Sequence, residues 1–222
     1  MRNSAVPRFL ILLIVFSLFG TLPAAQLFAE NTSAPKKNSW APLFDGKSLK
    51  GWKATQFGGE GEVYVEDETI FMEFGSSMTG LTATQNLPRD NYEVRLEAKR
   101  IDGTDFFCGL TFPVKDNYLT LVVGGWGGAV VGLSSIDGDD ASENDTRRSK
   151  AFKKNQWYSI RLRVSQDVVT VWIDDKELIK RSLTGHELSL RPEVNLCRPF
   201  GICAWETRAA LRKLEIRSLN NE

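Results

Sequence analysis

Apolar residues recur at every second position over several short runs of this chain. Between Tyr92 and Ala98 the alternate residues are apolar, and the residues between them are charged. The same period recurs in three later runs, Tyr158–Val164, Val169–Ile173 and Leu214–Ile216. Because successive side chains of a strand point to opposite faces, this period predicts strands with one face in a core and one towards water. Such strands are typical of antiparallel sheets.

Short polar segments separate these runs at the spacing of hairpin turns. Ser165–Asp167 and Asp174–Lys176 each join two predicted strands, and Glu66–Glu68 separates two further apolar runs. No segment of the globular part has a sustained period of 3.6 residues, and the only helical turn expected is a short one near Arg147–Phe152. Many short strands with such turns predict an all-β fold, a two-sheet antiparallel sandwich.

The N-terminus has the features of a secretory signal peptide. Arg2 and Arg8 precede an apolar run from Phe9 to Phe19, and small residues follow as far as Ala29. The run is shorter than the ~20 residues that span a bilayer, so a cleaved signal peptide is expected at residues 1–29, with an uncleaved anchor helix as the alternative. We therefore expect a secreted or periplasmic protein.

The rest of the chain is expected to hold a flexible linker at residues 30–39 and one sandwich domain at residues 40–222. The composition becomes globular at Trp40 and shows no second boundary. The full chain has 28 basic and 28 acidic residues, which gives no electrostatic reason to expect a nucleic acid or an anionic membrane surface as partner. We expect no nucleic acid partner, and no membrane in the mature form.

The three cysteines allow two interpretations. Cys197 and Cys203 flank a turn-like segment and could form a disulfide in an exported protein. They could equally be buried thiols on neighbouring strands, because spacing alone does not fix the geometry that a disulfide requires. Cys108 lies inside an apolar run and is expected to be a core thiol. The absence of a Cys-x-x-Cys pair argues against a structural zinc site.

Familiar catalytic and cofactor-binding motifs are missing from the sequence. His186 is the only histidine, so a histidine-dependent triad would rest on one loop residue. The glycines of Gly124–Gly128 lie between two β runs, where no helix follows to hold a phosphate. The acidic segment Asp137–Asp145 could bind calcium but lacks a regular ligand spacing, and a solvated loop is the alternative. No cofactor or metal is otherwise predicted.

Aromatic and carboxylate residues are the better lead to a binding site. Trp126 has two glycines on each side, which leaves its ring uncovered and suited to stack on a sugar, with core packing as the alternative. Trp205 precedes an acid and, further on, a base, Glu206 and Arg208. Asp105 opens an apolar run, where an acid usually has a function. Glu93 and Glu97 (which alternate with cationic residues) are expected to form a solvated charged face.

The segment Leu43–Trp52, which reads Leu-Phe-Asp-Gly-Lys-Ser-Leu-Lys-Gly-Trp, resembles the opening motif of the 3-keto-disaccharide hydrolase domain family. The resemblance continues in pattern from Pro42 to Arg217. It implies a concanavalin A-like jelly roll of an exported protein that acts on carbohydrate. Many family members carry Asn-Ser-Gly-Ile and His-Gly where this chain has Asp105–Leu110 and Ala204–Thr207.

Three functional hypotheses follow. The first is a hydrolase of a 3-keto or ordinary glycoside, with Asp105 and Glu206 as acid and base. In that hypothesis Trp126 and Trp205 bind the sugar rings, and two arginines, Arg208 and Arg147, bind hydroxyl or acid groups. The second is a non-catalytic carbohydrate-binding or adhesion module that uses the same aromatic residues. The third is a structural exported domain whose ligand is another protein.

Overall fold

The computed structural model describes residues 39–219 of the chain. The predicted signal peptide and the predicted linker up to residue 38 lie outside this range. Strands make up nearly all of the regular secondary structure of the described chain. In chain order they are β1 (Ala41–Pro42), β2 (Trp52–Ala54), β3 (Val63–Glu66), β4 (Thr69–Met72), β5 (Met78–Ala83), β6 (Tyr92–Gly103), β7 (Cys108–Val114), β8 (Asn117–Gly125), β9 (Val130–Ser134), β10 (Arg148–Ser149), β11 (Tyr158–Ser165), β12 (Val168–Ile173), β13 (Lys176–Ser182), β14 (Gly201–Trp205) and β15 (Thr207–Ser218).

The strands form two antiparallel sheets, which confirms the predicted sandwich. The first sheet has the order β13-β12-β11-β6-β15-β4-β3, and β1 pairs with β15. The second sheet has the order β10-β9-β8-β7-β14-β5-β2. The chain crosses from one sheet to the other between β14 and β15, which are consecutive in sequence. Because of this crossing, residues that follow Trp205 in sequence belong to the other sheet.

The core lies between the two sheets and is built from the predicted apolar faces. In β6 the alternate residues from Tyr92 to Ala98 are at most 2% exposed. The alternate apolar residues of β11 and β12 are buried in the same cluster. The second sheet contributes Leu119, Leu121 and Val123 of β8 to this core. The residues between them on β8 therefore point to the outer face of the second sheet.

Hairpin turns occur where the polar segments predicted them. The β3–β4 turn consists of Asp67 and Glu68, and the β12–β13 turn consists of Asp174 and Asp175. All four residues have positive φ angles, between 47° and 60°. Two consecutive left-handed residues are the signature of a type I′ turn, whose twist matches that of the strands it joins. Acidic side chains tolerate this conformation better than β-branched ones.

The opening segment folds as its sequence indicates. The Asp45 carboxylate accepts hydrogen bonds from the backbone amides of Lys47 and Ser48 at 2.8 and 2.7 Å, which closes a tight turn. These bonds lower the pKa of Asp45. Trp52 is buried, and its indole nitrogen donates to the carbonyl of Leu43 at 2.7 Å. The turn thereby fastens the start of the domain to its core.

The expectation of a solvated charged face on β6 is wrong at Glu93. This side chain is completely buried on the outer face of the first sheet. Arg163 donates to its carboxylate at 2.6 Å, Arg161 lies at 3.3 Å, and Arg217 forms a third ion pair. Burial by itself raises the pKa of Glu93, but hydrogen bonds from Arg163 and Arg217 outweigh it and lower the pKa. Long arginine side chains from neighbouring strands cover the shorter acid.

The predicted helical turn near Arg147–Phe152 is also wrong. That stretch contains β10, which pairs with β9 at the edge of the second sheet. The helical turn of the described chain is instead a 3-10 helix at Pro192–Cys197, just before β14. Within residues 39–219 there is no helix long and apolar enough to cross a membrane.

Candidate functional site

A cavity lies on the outer face of the second sheet, on the side away from the core. Its volume is about 190 Å³. We call it the Trp126 cavity. It is lined by Met78, Asp105, Phe106, Thr120, Val122, Trp126, Ser134, Arg191, Glu193, Val194 and Trp205. Three of these residues, Asp105, Trp126 and Trp205, were predicted from the sequence to belong to a site.

Trp126 lies in the loop between β8 and β9 and is 41% exposed, one of few large apolar side chains to be so. The exposure predicted from its glycine neighbours is therefore confirmed. The structure adds a second reason for those glycines. A Cβ on Gly124 would lie 2.6 Å from Nη2 of Arg100, and one on Gly128 would lie 3.2 Å from Nη1. The glycines make room for a buried guanidinium beneath the loop.

Arg100 of β6 holds this loop from below. It is 5% exposed, and its Nη2 donates to the carbonyls of Gly124 and Gly128 at 3.0 and 3.1 Å. Its Nε donates to the carbonyl of Asp105 at 3.2 Å. Burial lowers the pKa of Arg100, against the opposing effect of the Asp105 charge. One side chain thus positions both the Trp126 loop and the segment that carries Asp105.

Asp105 lies beside Trp126 at the rim of the cavity and is half-buried. Its Oδ1 accepts a hydrogen bond from the amide of Phe106 at 2.7 Å, and its Oδ2 accepts one from Gly127 at 3.3 Å. Thr207 Oγ1 donates to the Asp105 carbonyl at 3.1 Å. These contacts fix the carboxylate next to an exposed ring, where a ligand in the cavity can reach it.

Arg191 and Glu193 bring a second charged group to the cavity from the segment around the 3-10 helix. Arg191 Nη2 lies 3.0 Å from Glu193 Oε1, and its Nη1 lies 2.7 Å from Asp140 Oδ2. The hydrogen bond from Arg191 lowers the pKa of Glu193, so this carboxylate is ionised at neutral pH. The guanidinium faces the cavity as a tethered cation, although 45% of its side chain is exposed.

A small apolar cluster attaches this segment to the sheet. Val194 and Cys197 of the 3-10 helix pack against Met78 of β5 and Cys203 of β14. All three cysteines of the chain are buried free thiols, which settles the two interpretations in favour of thiols in this structure. A hydrogen bond between Cys203 and Cys197, together with burial, raises the pKa of Cys203. The wall of the cavity that carries Arg191 is therefore packed rather than loosely attached.

The remaining predicted site residues do not line the cavity. Glu206 is exposed and has a φ angle of 42°, because it lies at the crossing from the second sheet to the first. Arg208 belongs to the first sheet, where its Nε lies 2.8 Å from Glu73 Oε2. Arg147 is exposed in the loop before β10. Glu206 and Arg208 were predicted as site residues because they are close to Trp205 in sequence. The chain changes sheets after Trp205, and they do not line the cavity.

Arg191 and Glu193 were not predicted, and the sequence holds only a weak signal for them. They flank Pro192 in a polar stretch that resembles any surface loop. Arg191 is held by a contact with Asp140, which is fifty-one residues earlier in the chain. No local pattern reports such a contact.

Neither the acidic loop nor the histidine lines the cavity, although Asp140 of the loop contacts one lining residue, Arg191. Asp140 is engaged by Arg191, and Asp137 Oδ2 lies 2.6 Å from His186 Nδ1. The hydrogen bond with His186 lowers the pKa of Asp137. Among residues 39–219 no cluster of three or more histidine, cysteine, aspartate or glutamate side chains is arranged to hold a metal ion. Calcium binding in this loop stays a prediction.

Several solved structures share the fold. The carbohydrate-binding module CBM66 from Bacillus subtilis has a TM-score of 0.52 at 15% identity, with 76% of this chain and 96% of that chain covered. The Crh5 transglycosylase has a TM-score of 0.57 at 12% identity, with 82% and 85% covered. The carbohydrate recognition domain of Emp47p has a TM-score of 0.55 at 14% identity, with 85% and 100% covered. At these identities the likeness concerns the fold alone.

The two sheets and their order make this protein a jelly-roll β-sandwich of the concanavalin A-like class. No curated protein matches its sequence. A family model, however, matches residues 39–217, nearly all of the described chain. The chain belongs to the 3-keto-alpha-glucoside-1,2-lyase-like domain family, as the opening motif predicted. It is therefore a carbohydrate-related domain.

Proposed function

We propose that this protein is an exported domain that binds a 3-keto glycoside in the Trp126 cavity and cleaves its glycosidic bond. The observation that carries the proposal is the convergence of Asp105, Trp126, Trp205 and Arg191 on one cavity from separate segments of the chain. Flat aromatic rings stack on sugar faces, and a carboxylate with a cation supplies the polar contacts that orient a bound ligand. Export rests on the signal-peptide features of residues 1–29.

The groups in the cavity favour elimination over the two-carboxylate hydrolysis expected from the sequence. Direct hydrolysis of an ordinary glycoside uses a pair of carboxyl groups that flank the bond. Here Glu206 is absent from the cavity lining, and Glu193 is ion-paired with Arg191. Asp105, which accepts hydrogen bonds from two backbone amides, is the carboxylate available for proton transfer. A ketone at carbon 3 acidifies the neighbouring carbon 2, so a single base is sufficient.

In the proposed reaction the Asp105 carboxylate removes the proton from carbon 2 of the sugar. The electrons of that bond form an enolate, whose negative charge on oxygen 3 is stabilised by Arg191. The enolate then reforms the ketone and makes a double bond between carbons 1 and 2, while the bond from carbon 1 to the leaving oxygen breaks. The leaving oxygen takes the proton from Asp105. Addition of water across the new double bond completes a net hydrolysis.

The test compares the purified protein with its Asp105→Asn variant on a 3-keto disaccharide. Loss of a general base lowers the rate by about 100-fold or more. Asp102→Asn is the matched control, because Asp102 is a nearby carboxylate that is exposed, pairs with Lys154 and does not line the cavity. The proposal is wrong if Asp105→Asn keeps the rate of the unchanged protein while that protein turns the substrate over.

A non-catalytic carbohydrate-binding module is the second candidate. The observation that favours it is the use of both Asp105 oxygens in hydrogen bonds to the backbone, which is also a structural role. This candidate predicts saturable binding of an oligosaccharide that is lost in Trp126→Ala, with no product formed from any 3-keto glycoside. Product formation by the unchanged protein excludes it, and binding without product excludes the lyase.

A further inference from the structure

A second cavity is lined in part by the 3-10 helix at Pro192–Cys197. Its volume is about 330 Å³. We call it the Leu196 cavity. It is lined by Phe57, Gly58, Gly59, Ser76, Ser77, Met78, Pro192, Glu193, Leu196 and Trp205. Nothing in the proposed reaction uses Leu196, Phe57 or the two serines.

The two cavities are adjacent. Met78, Glu193 and Trp205 line both of them, so Trp205 lies at their boundary. Pockets for small ligands typically have volumes of about 300 to 1,000 Å³. The Trp126 cavity lies below that range and the Leu196 cavity at its lower end. A ligand of two sugar rings therefore needs both cavities.

The exposure of apolar side chains supports a ligand that extends over both cavities. Leu196 is 56% exposed and Trp126 is 41% exposed, and each lines one of the two adjacent cavities. Exposed apolar surface in a concave site is typical of a binding site. Phe74, exposed to 46%, lines neither cavity and serves as a control for exposure alone.

The chemistry of the Leu196 cavity suits a neutral sugar. Phe57 and Leu196 offer apolar surface for the face of a ring, and the exposed hydroxyl side chains of Ser76 and Ser77 can donate and accept hydrogen bonds at its edge. Glu193 is the charged residue of the lining, and its ion pair with Arg191 occupies it. The cavity thus contains no unpaired cation that would select an anionic leaving group.

We propose that the Leu196 cavity binds the leaving group of the glycoside, a second neutral sugar ring, while the 3-keto ring occupies the Trp126 cavity. This inference rests on the proposed function, because it assigns the two ends of the same substrate. The scissile bond then lies beside Trp205, next to the groups that line both cavities.

The test uses two substrates with the same 3-keto glucose ring, a 3-keto disaccharide and the methyl 3-keto glucoside. Leu196→Ala is expected to raise KM for the disaccharide about five- to tenfold through loss of apolar contact, and to leave KM for the methyl glycoside unchanged. Phe57→Ala is expected to act in the same direction. Phe74→Ala is the control and is expected to change neither value.

The outcomes separate this inference from the proposed function. If both substrates are cleaved and Leu196→Ala affects them equally or not at all, the assignment of the leaving group is wrong and the lyase proposal stands. If neither substrate is cleaved, calorimetric titration of the unchanged protein with each of the two compounds tests the second cavity by binding alone. Tighter binding of the disaccharide than of the methyl glycoside, lost in Leu196→Ala, supports the second cavity. Equal binding of the two overturns it.

Discussion

The guanidinium of Arg100 donates a hydrogen bond of 3.0 Å to the carbonyl of Gly124, and this contact links the core strand β6 to the loop that exposes Trp126. No carboxylate lies within ion-pair distance of this buried cation among the described residues. Its hydrogen bonds go to backbone carbonyls, including that of Asp105. A buried cation that donates to backbone carbonyls holds the loops that carry them. If a loop moved its carbonyl away, a charged donor would be left buried without a partner, which costs free energy.

Replacement of Gly124 by alanine tests this arrangement. The new Cβ would lie 2.6 Å from Arg100 Nη2, and the φ angle of +81° adds backbone strain. We expect a loss of about 2 to 4 kcal/mol in the free energy of unfolding, measured by denaturant titration. Gly127→Ala is a close control, since Gly127 has the same φ angle and its Cβ would meet no atom within 4 Å. Equal losses of unfolding free energy in the two variants would show that backbone strain accounts for the effect and that the contact with Arg100 does not contribute.

Glu93→Gln is expected to destabilise the protein by about 3 to 5 kcal/mol, because it leaves three arginines around a neutral, buried group. Chemical denaturation at pH 7 measures the change. Glu215→Gln provides the comparison, since Glu215 makes a partly exposed pair with Arg95. That pair is expected to contribute less than about 1 kcal/mol. A small loss for Glu93→Gln would contradict the role assigned to the buried carboxylate.

The stabilisation by Glu93 depends on pH in a defined direction. Its pKa in the folded protein lies below the ordinary value of 4.5. The unfolded chain therefore takes up the proton first, and the contribution is complete above pH 4.5 and lost as the pH falls through the lowered pKa. Denaturant titrations of the unchanged protein and of Glu93→Gln should differ by a constant amount between pH 6 and pH 8. The difference should shrink below about pH 4.5; an undiminished difference in acid would contradict this.

The three cysteines are expected to resist modification in the folded protein. Burial raises the pKa of Cys108 to about 12, and Cys203 is shifted in the same direction. Since the thiolate is the reactive form, a thiol reagent such as dithionitrobenzoate at pH 8 should label none of them before unfolding. After unfolding without reductant, three thiols should react. One reactive thiol instead of three would indicate that Cys197 and Cys203 form a disulfide in the isolated protein.

Trp126→Ala is expected to separate ligand binding from stability. The ring is 41% exposed, so its removal should change the free energy of unfolding by less than about 1 kcal/mol. Sugar affinity should fall about tenfold, because a stacking ring contributes on the order of 1 kcal/mol beyond its buried area. Calorimetric titration with the disaccharide measures this. Trp172→Ala, at a ring covered by Arg161 on the first sheet, should leave the affinity unchanged.

The strands were predictable because their signal is local. The alternation from Tyr92 to Ala98 reflects one buried face, and that face is buried as predicted. The acidic pairs at Asp67 and Asp174 mark type I′ turns, whose conformation depends on two residues only. The prediction failed at Glu93, because the alternation assigns a residue to a face but does not say what covers that face.

Only part of the site was predictable. The glycines around Trp126 correctly predicted an exposed ring, but the buried Arg100 that requires two of them comes from another sheet. Glu206 and Arg208 lie within three residues of Trp205 in sequence, yet the chain changes sheets at that point and places Arg208 against Glu73. Arg191 is held at the cavity in part by Asp140, which is fifty-one residues earlier in the chain.

The sequence by itself thus determined the all-β class, the antiparallel hairpins and the family. These follow from side-chain periodicity, turn conformations and a contiguous motif, each of which depends on neighbouring residues. Tertiary structure alone decided that Asp105, Trp126, Trp205 and Arg191 share a cavity and that a second cavity with Leu196 adjoins it. The physical reason is that a site on the outer face of a sandwich joins loops that are distant in sequence. Their meeting is set by strand order and by long-range contacts such as that of Arg100 with Gly124.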